Sequence, residues 1–237
     1  MDWFLANSGM VFERAGQHLV LALVPMILGL LISIPLAQLS RRQPALRSLV
    51  TTVSSLLYTI PSLALFIILP PLLGTRILDP INVVVALTIY AVALLVRAAM
   101  DAFDSVADDL RQAAVAMGYR PAARFLQIDL PLSLPVLFAG LRVVSVSNIS
   151  LVSVAALLGV GNLGMLFTDG LQRAFVTEVV VGIVAILLLA LLMDAVLVLL
   201  ERLLTPWTRA SAAPARPDAR SGAEFIAESK VHAGAGS

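Results

Sequence analysis

The stretch DSVADDLRQAAVAMGYRPAARFLQIDLP, residues 104–131, is polar and helical in pattern, yet it lies between two strongly apolar segments. Val106, Leu110, Ala113, Ala114 and Met117 recur at i, i+4, i+7, i+8 and i+11, the spacing of one helix face. Ser105, with Asp108 three residues on, has the form of a capping box at the helix start. Gly118 suits the left-handed residue that closes a helix, since it carries no Cβ. Pro121 suits the first turn of a second short helix, 121–129, and Pro131 is expected to end it. The stretch therefore reads as a helix–turn–helix outside the bilayer, between two spans. It has no apolar core of its own, so it must dock on its own bundle, on lipid or on another protein.

The flanking sequence sets the solvent. Hydrophobic residues make up 59% of the 237 and charged residues 13%, with a mean hydropathy of +0.97. That composition belongs to an integral membrane protein. A formal net charge of +1 and the lack of a basic-aromatic patch argue against nucleic acid. With no cysteine there is no disulfide framework, thiolate metal site or Cys nucleophile. His18 and His232 lie at opposite ends of the chain and form no local metal pair, so no metal or cofactor is expected. MDWFLANSG carries no Lys or Arg ahead of the first apolar run, which argues against a cleavable signal peptide.

Gln112-Ala113-Ala114, three residues, Gly118, nine residues, then Ile128, Leu130 and Pro131 resembles the "EAA" loop of ABC importer permeases. The resemblance implies an all-α, polytopic bundle of the type I importer permease kind, with about five transmembrane helices. It makes 104–131 a coupling loop that fits a cleft on a cytoplasmic ATPase subunit through Gln112, Ala113, Ala114, Gly118, Ile128, Leu130 and Pro131. One departure is Gln112, where the family usually has Glu, so any ion pair there becomes a neutral hydrogen bond. A helix that only touched lipid would be basic and aromatic. The 104–112 segment instead carries Asp104, Asp108 and Asp109 against a single Arg111.

In chain order, residues 1–17 are read as an N-terminal interfacial segment on the outer side. Trp3, Phe4, Leu5 and Phe12 would lie in the interface, and Glu13, Arg14 and His18 would face water. A transmembrane permease domain, 18–205, follows, with a disordered cytoplasmic tail at 206–237. The spans are expected at 18–39, 48–69, 81–100, 133–157 and 178–200, each long enough for the hydrocarbon core. Pro25, Gly29 and Pro35 predict bends in the first. In the second, Thr51, Ser54, Ser55, Tyr58 and Ser62 form one polar stripe, which would face a partner helix or a water-filled path. Pro61 breaks that span and Pro70-Pro71 stop it. Its YTIPSLALF run resembles the osmoprotectant (glycine betaine/choline) permeases, as does LTIYAVALLVRAAMDAF in the third span.

Arg97 and Asp101, four apart, can pair at the membrane edge. In the fourth span Ser147, Ser150 and Ser153 share a stripe and are further path candidates, while Ser145 and Asn148 point elsewhere. Arg142 within this span is expensive unless paired, and Asp194 is the only acid in any span core, so the two are candidate partners. Snorkelling of Arg142 to the inner surface is the alternative. The run Gly159-Val160-Gly161-Asn162-Leu163-Gly164 has no preceding strand and no GK[ST], which excludes a phosphate loop. It resembles the family's GxGGLG turn, with Asn162 replacing a glycine.

Twelve Lys and Arg fall on the side of 40–47, 97–131 and the tail, and three on the other. The positive-inside rule then puts the N-terminus outside and the C-terminus and the 104–131 loop in the cytoplasm, and the resemblance implies the plasma membrane of a prokaryote.

By resemblance the chain is the membrane subunit of an ATP-driven importer for a small compatible solute of the glycine betaine, choline, carnitine or proline betaine class. It carries no Walker A sequence, which implies a separate ATPase. An extracytoplasmic binding protein and a second permease copy, identical or paralogous, are implied too. A quaternary ammonium calls for an aromatic cage. The three tyrosines are scattered in the sequence, so specificity is expected in the binding protein. A permease for methionine or another amino acid is the alternative. A membrane enzyme lacks the HExxH, GxGD, GxS or Cys-His elements it would need. A proton-coupled carrier would need more intramembrane carboxylates.

Overall fold

A computed structural model of the chain describes residues 2–208. The chain divides into two units, 1–204 and 205–237. The expected disordered tail lies, from residue 209 on, outside the described residues.

Helix α1 runs without interruption from Asp2 to Ser40, 39 residues with Pro25 and Pro35 inside it. Residues 2–17 are therefore its first turns rather than a separate surface helix. At 1.5 Å per residue α1 is about 58 Å long, well beyond one hydrocarbon thickness. Helices α2 (Pro44–Thr59) and α3 (Ser62–Leu73) form the second span, broken at Pro61 as expected, and meet at 101°. Pro61 supplies the break, because the residue before a proline is pushed out of the helical region, and Ile60 sits at φ −66°, ψ 128°. Pro70-Pro71 do not stop α3. Their fixed φ is helical and they stand in its last turn, and the helix ends at the left-handed Gly74.

Helix α4 (Pro80–Asp104) is the centre of the bundle. Ala86, Leu87, Leu95, Val96, Ala99, Ala102 and Phe103 are all fully buried there. Small residues admit its neighbours. A Cβ on Gly29 of α1 would stand 2.6 Å from the Ala91 Cβ, and one on Gly140 would stand 2.5 Å from the Ala98 Cβ. Such close backbone approach is how helices pack where lipid removes the hydrophobic drive.

Beyond α4 come α5 (Asp108–Ala116) and α6 (Pro121–Arg124), then a π-helical turn over Phe125–Asp129 that leads straight into α7 (Leu130–Val154). Pro131 thus opens the fourth span instead of ending a short helix. The Leu130 N–H reaches back five residues to Phe125. The widened turn falls where the proline would otherwise crowd the preceding carbonyl.

Helix α8 (Met165–Gln172) and the apolar α9 (Val176–Leu204) complete the first unit. Four helices, α1, α4, α6–α7 and α9, are long and apolar enough to cross a membrane, and the bent α2–α3 pair brings the count to five among the described residues.

Two side chains fasten α1 to α7. His18 Nε2 meets the Ile149 carbonyl at 2.9 Å, and Asn148 Nδ2 donates to the Ala22 carbonyl at 3.2 Å. His18 is fully buried and does not face water. An amphipathic ring with a hydrogen-bonding tip can occupy a helix seam as well as an exposed face. Asn162, also buried, shapes the glycine-rich turn by accepting the Gly164 N–H at 2.6 Å and donating to the Val160 carbonyl at 2.8 Å. The side chain does locally what a glycine's backbone freedom would otherwise permit.

Candidate functional site: a wired loop and a polar seam

The 104–131 stretch forms a loop held by charge. Helix α4 closes at Ser105, whose hydroxyl donates to the Ala102 carbonyl at 2.7 Å, so Ser105 caps the end of α4 and not the start of α5. Helix α5 begins at Asp108 behind Ala107, with Asp108 and Asp109 at its positive N-terminal end. Its other end is a Schellman turn. Tyr119 N–H donates to the Ala114 carbonyl at 3.1 Å and Gly118 N–H to the Val115 carbonyl at 3.0 Å, with Gly118 at φ +82°.

Arg111 ties this helix to the bundle. Its guanidinium pairs with Asp108 at 2.8 Å and with Asp129 at 3.4 Å, and it also donates to the Phe103 carbonyl at the end of α4. Asp129 is fully buried, and Arg124 approaches its other oxygen at 3.4 Å without a hydrogen bond. A buried carboxylate persists only when compensated, and here two arginines share the task. One layer outward, Asp104 receives Arg41 at 2.8 Å and Arg47 at 2.7 Å, from the end of α1 and the start of α2. The Phe103 ring stacks edge-on against Phe125 at 5.4 Å and lies under Arg41 at 5.9 Å.

The expected apolar face of α5 is split. Val106 and Ala114 are buried, whereas Leu110, Ala113 and Met117 are exposed, along with Gln112, Gly118 and Val115. Ile128, Leu130 and Pro131 are half-buried where the loop joins α7. The loop therefore rests on the chain through Ala114 and Arg111 and turns Leu110, Val115 and Met117 outward. A cavity of about 350 Å³ opens beside Gln112, between Arg111, Val115, Ala116 and Arg124.

The polar stripe of α2 faces α4. Ser54 is buried, Thr51, Ser55 and Ser62 are half-buried and Tyr58 is exposed. Arg97 does not reach Asp101. It donates to the Thr51 carbonyl at 2.9 Å and to the Ser55 hydroxyl. Asp101 shares its helix edge, but Arg97 turns to the seam, where the Ser55 hydroxyl also donates to the Thr51 carbonyl at 2.9 Å. The Tyr90 hydroxyl donates to the Ile60 carbonyl, freed by the break at Pro61, and the Tyr58 and Tyr90 rings meet edge to face at 5.9 Å. Two of the three tyrosines, scattered in sequence, thus come together.

The serines of α7 lie elsewhere. Ser147 and Ser153 are half-buried and Ser150 exposed, on the outward face with Val143 and Val146, while Ser145 and Asn148 are buried. Arg142 binds Asp194 of α9 through both carboxylate oxygens, at 2.6 and 2.9 Å. Sequence reasoning named that pair but missed the Arg41–Asp104–Arg47 and Arg111–Asp129 contacts. Their only sequence trace is an excess of cations facing acids on the same side of the membrane.

The chain resembles known proteins along most of its length. The family described as "Binding-protein-dependent transport system inner membrane component" matches residues 29–209. The osmoprotectant import permease protein OsmW of Salmonella typhimurium is 33% identical over 208 residues, covering 87% of this chain and 97% of the relative. The choline transport system permease protein OpuBB of Bacillus subtilis is 30% identical over 206 residues, covering 87% and 94%. Among solved structures, the inward-facing MetNI methionine ABC transporter matches with a TM-score of 0.74 and 20% identity, over 84% of this chain and 98% of that one. At that identity the match speaks for the fold: a type I importer permease bundle.

Proposed function

The chain belongs to the family of binding-protein-dependent transport system inner membrane components, multi-pass membrane subunits of ABC importers, and from that premise we propose how it works. It forms half of the path by which a small compatible solute of the glycine betaine, choline or carnitine class crosses the membrane. The substrate class is supported by two relatives at 33% and 30% identity over 87% of this chain, whose names carry osmoprotectant and choline transport. The methionine or amino-acid reading rests on fold likeness at 20% identity and is the weaker of the two.

One observation carries the mechanism: α5 exposes Leu110, Val115 and Met117 while Arg111 binds its back to the ends of α4 and α7. A partner that pushes on this face moves α4 and α7 with it. The partner is an ATPase subunit on the cytoplasmic side, which hydrolyses ATP for the complex. Gln112, Ala113, Ala114 and Gly118 shape the contact, and Ile128, Leu130 and Pro131 pass the motion into α7. ATP closure of the ATPases moves the loops inward, and the spans rock so that the path opens outward.

An extracytoplasmic binding protein delivers the solute. The N-terminus is outside, the C-terminus inside and α2–α3 one broken crossing. A single bundle of this size encloses no path, so two permease copies pair. Thr51, Ser54, Ser55, Tyr58 and Ser62 of α2 and α3, with Ser147, Ser150 and Ser153 of α7, line the way. The first turns of α1 stand at the outer interface.

Co-expression with the ATPase and binding protein tests this reading. The chain is expected to co-purify with the ATPase and to support ATP-dependent uptake of radiolabelled glycine betaine or choline. Co-purification without uptake of either solute, but with uptake of labelled methionine, would move the reading to the amino-acid class.

A further inference from the structure

The α2–α4 seam is a ladder in register. Arg47 meets Asp104 at 2.7 Å, then Ser55 meets Arg97, then Ile60 meets Tyr90. Each rung lies about two turns further along α4, and between about one and a half and two turns further along the α2 side. Arg97 therefore sits at its own level in the seam, about 10 Å short of the end of α4, and does not snorkel toward that end. It is exposed and has no carboxylate partner among the described residues. Its Nη2 serves Thr51 and Ser55. A guanidinium has five N–H donors, so with Nη2 engaged the N–H groups of Nε and Nη1 remain open as single contacts. An arginine inside a span with no counter-charge calls for water or a transient anion.

About one turn of α2 above Ser55 stands Tyr58, exposed, its ring braced against the buried Tyr90. Tyr90 is itself held by its hydroxyl on Ile60. A fixed, exposed tyrosine face attracts an organic cation. The rise between Ser55 and Tyr58 is about 4.5 Å. Because Arg97 is bonded at Ser55, the tyrosine ring and the guanidinium belong to adjacent turns of one seam, the arrangement that a short zwitterion with a quaternary ammonium at one end and a carboxylate at the other calls for.

Resting on the importer reading above, we propose that Tyr58 and Arg97 form a transient two-point site within the path, with the ammonium on the Tyr58 ring and the carboxylate on an open Arg97 N–H. The seam then sorts solutes by their anionic end, independently of the binding protein. Glycine betaine and carnitine engage both points, whereas choline, with no carboxylate, engages only the ring.

The test compares initial uptake of radiolabelled glycine betaine and choline by the complete importer, with ATPase co-purification as a control for assembly. Arg97→Gln is expected to lower glycine betaine uptake about tenfold relative to choline, the weight of one charge-assisted contact. Tyr58→Ala is expected to lower uptake of both about fivefold, with Tyr58→Phe restoring it because the ring is kept. An unchanged betaine-to-choline ratio in Arg97→Gln, or equal loss of both solutes, overturns the carboxylate assignment. A Tyr58→Phe variant as impaired as Tyr58→Ala overturns the ring assignment. If the wild-type importer takes up neither probe, the substrate class fails and the site falls with it, which is distinct from uptake with an unaltered ratio.

Discussion

Arg142 on α7 donates through Nε and Nη2 to the two carboxylate oxygens of Asp194 on α9, at 2.6 and 2.9 Å. Both residues lie inside otherwise apolar spans, so each neutralises a charge that lipid tolerates poorly. The bidentate geometry fixes the rotation of α9 against α7 as well as the charge balance. Arg142→Met and Asp194→Leu are each expected to lower the thermal stability of the detergent-solubilised complex, and the double variant to recover part of the loss. Strictly additive losses would mean the pair contributes nothing as a pair.

Asp129 holds Arg111 and Arg124 within the 104–131 loop. Asp129→Asn keeps the shape and removes the charge. It is expected to cost about 2 kcal/mol, the usual worth of hydrogen bonds to an ionised group. Because Arg111 is what binds α5 to α4 and α7, transport is expected to fall further than stability. Uptake per assembled complex, set beside thermal unfolding, reads the two separately.

Gly118 ends α5 with φ +82°, and nothing stands within 4 Å of where its Cβ would be. Any side chain there meets backbone strain before it meets a neighbour in this chain. Gly118→Ala is expected to loosen the turn by about 1 kcal/mol, and Gly118→Asn by less. Gly118→Trp is expected to abolish uptake while the permease still assembles in the membrane. Normal uptake by the tryptophan variant would remove the turn from the coupling contact.

Gly29 and Ala91 share one small gap between α1 and α4. Gly29→Ala alone is expected to overpack it, at about 1–3 kcal/mol. Adding Ala91→Gly returns the lost volume to the other side of the seam and is expected to restore much of the stability. Thermal unfolding of the single and double variants checks both steps.

What could be read from sequence was what short-range chemistry dictates. Gly118, Pro121 and Pro61 each impose a local backbone state, and each does so in the structure. Arg142 and Asp194 could be matched because each is so expensive in a span that a partner had to be sought. The capping box failed because Ser105 was claimed by the end of α4, a competition that pattern alone does not rank. Pro131 failed because a π-helical turn absorbs it. The Asp104 contacts, 63 and 57 residues from Arg41 and Arg47, depend on the register of packed helices, which no local signal encodes. The meeting of Tyr58 with Tyr90 has the same origin.

The central claim is that the exposed face of α5 is the surface on which a cytoplasmic ATPase acts. The chain has no cysteine, so a single Val115→Cys substitution reports on that face alone. In intact cells a membrane-impermeant thiol reagent is expected to leave the introduced thiol unmodified. In inside-out vesicles the same reagent is expected to modify it, and the bound ATPase to protect it. Modification from outside intact cells, or equal modification with and without the ATPase, would contradict the account.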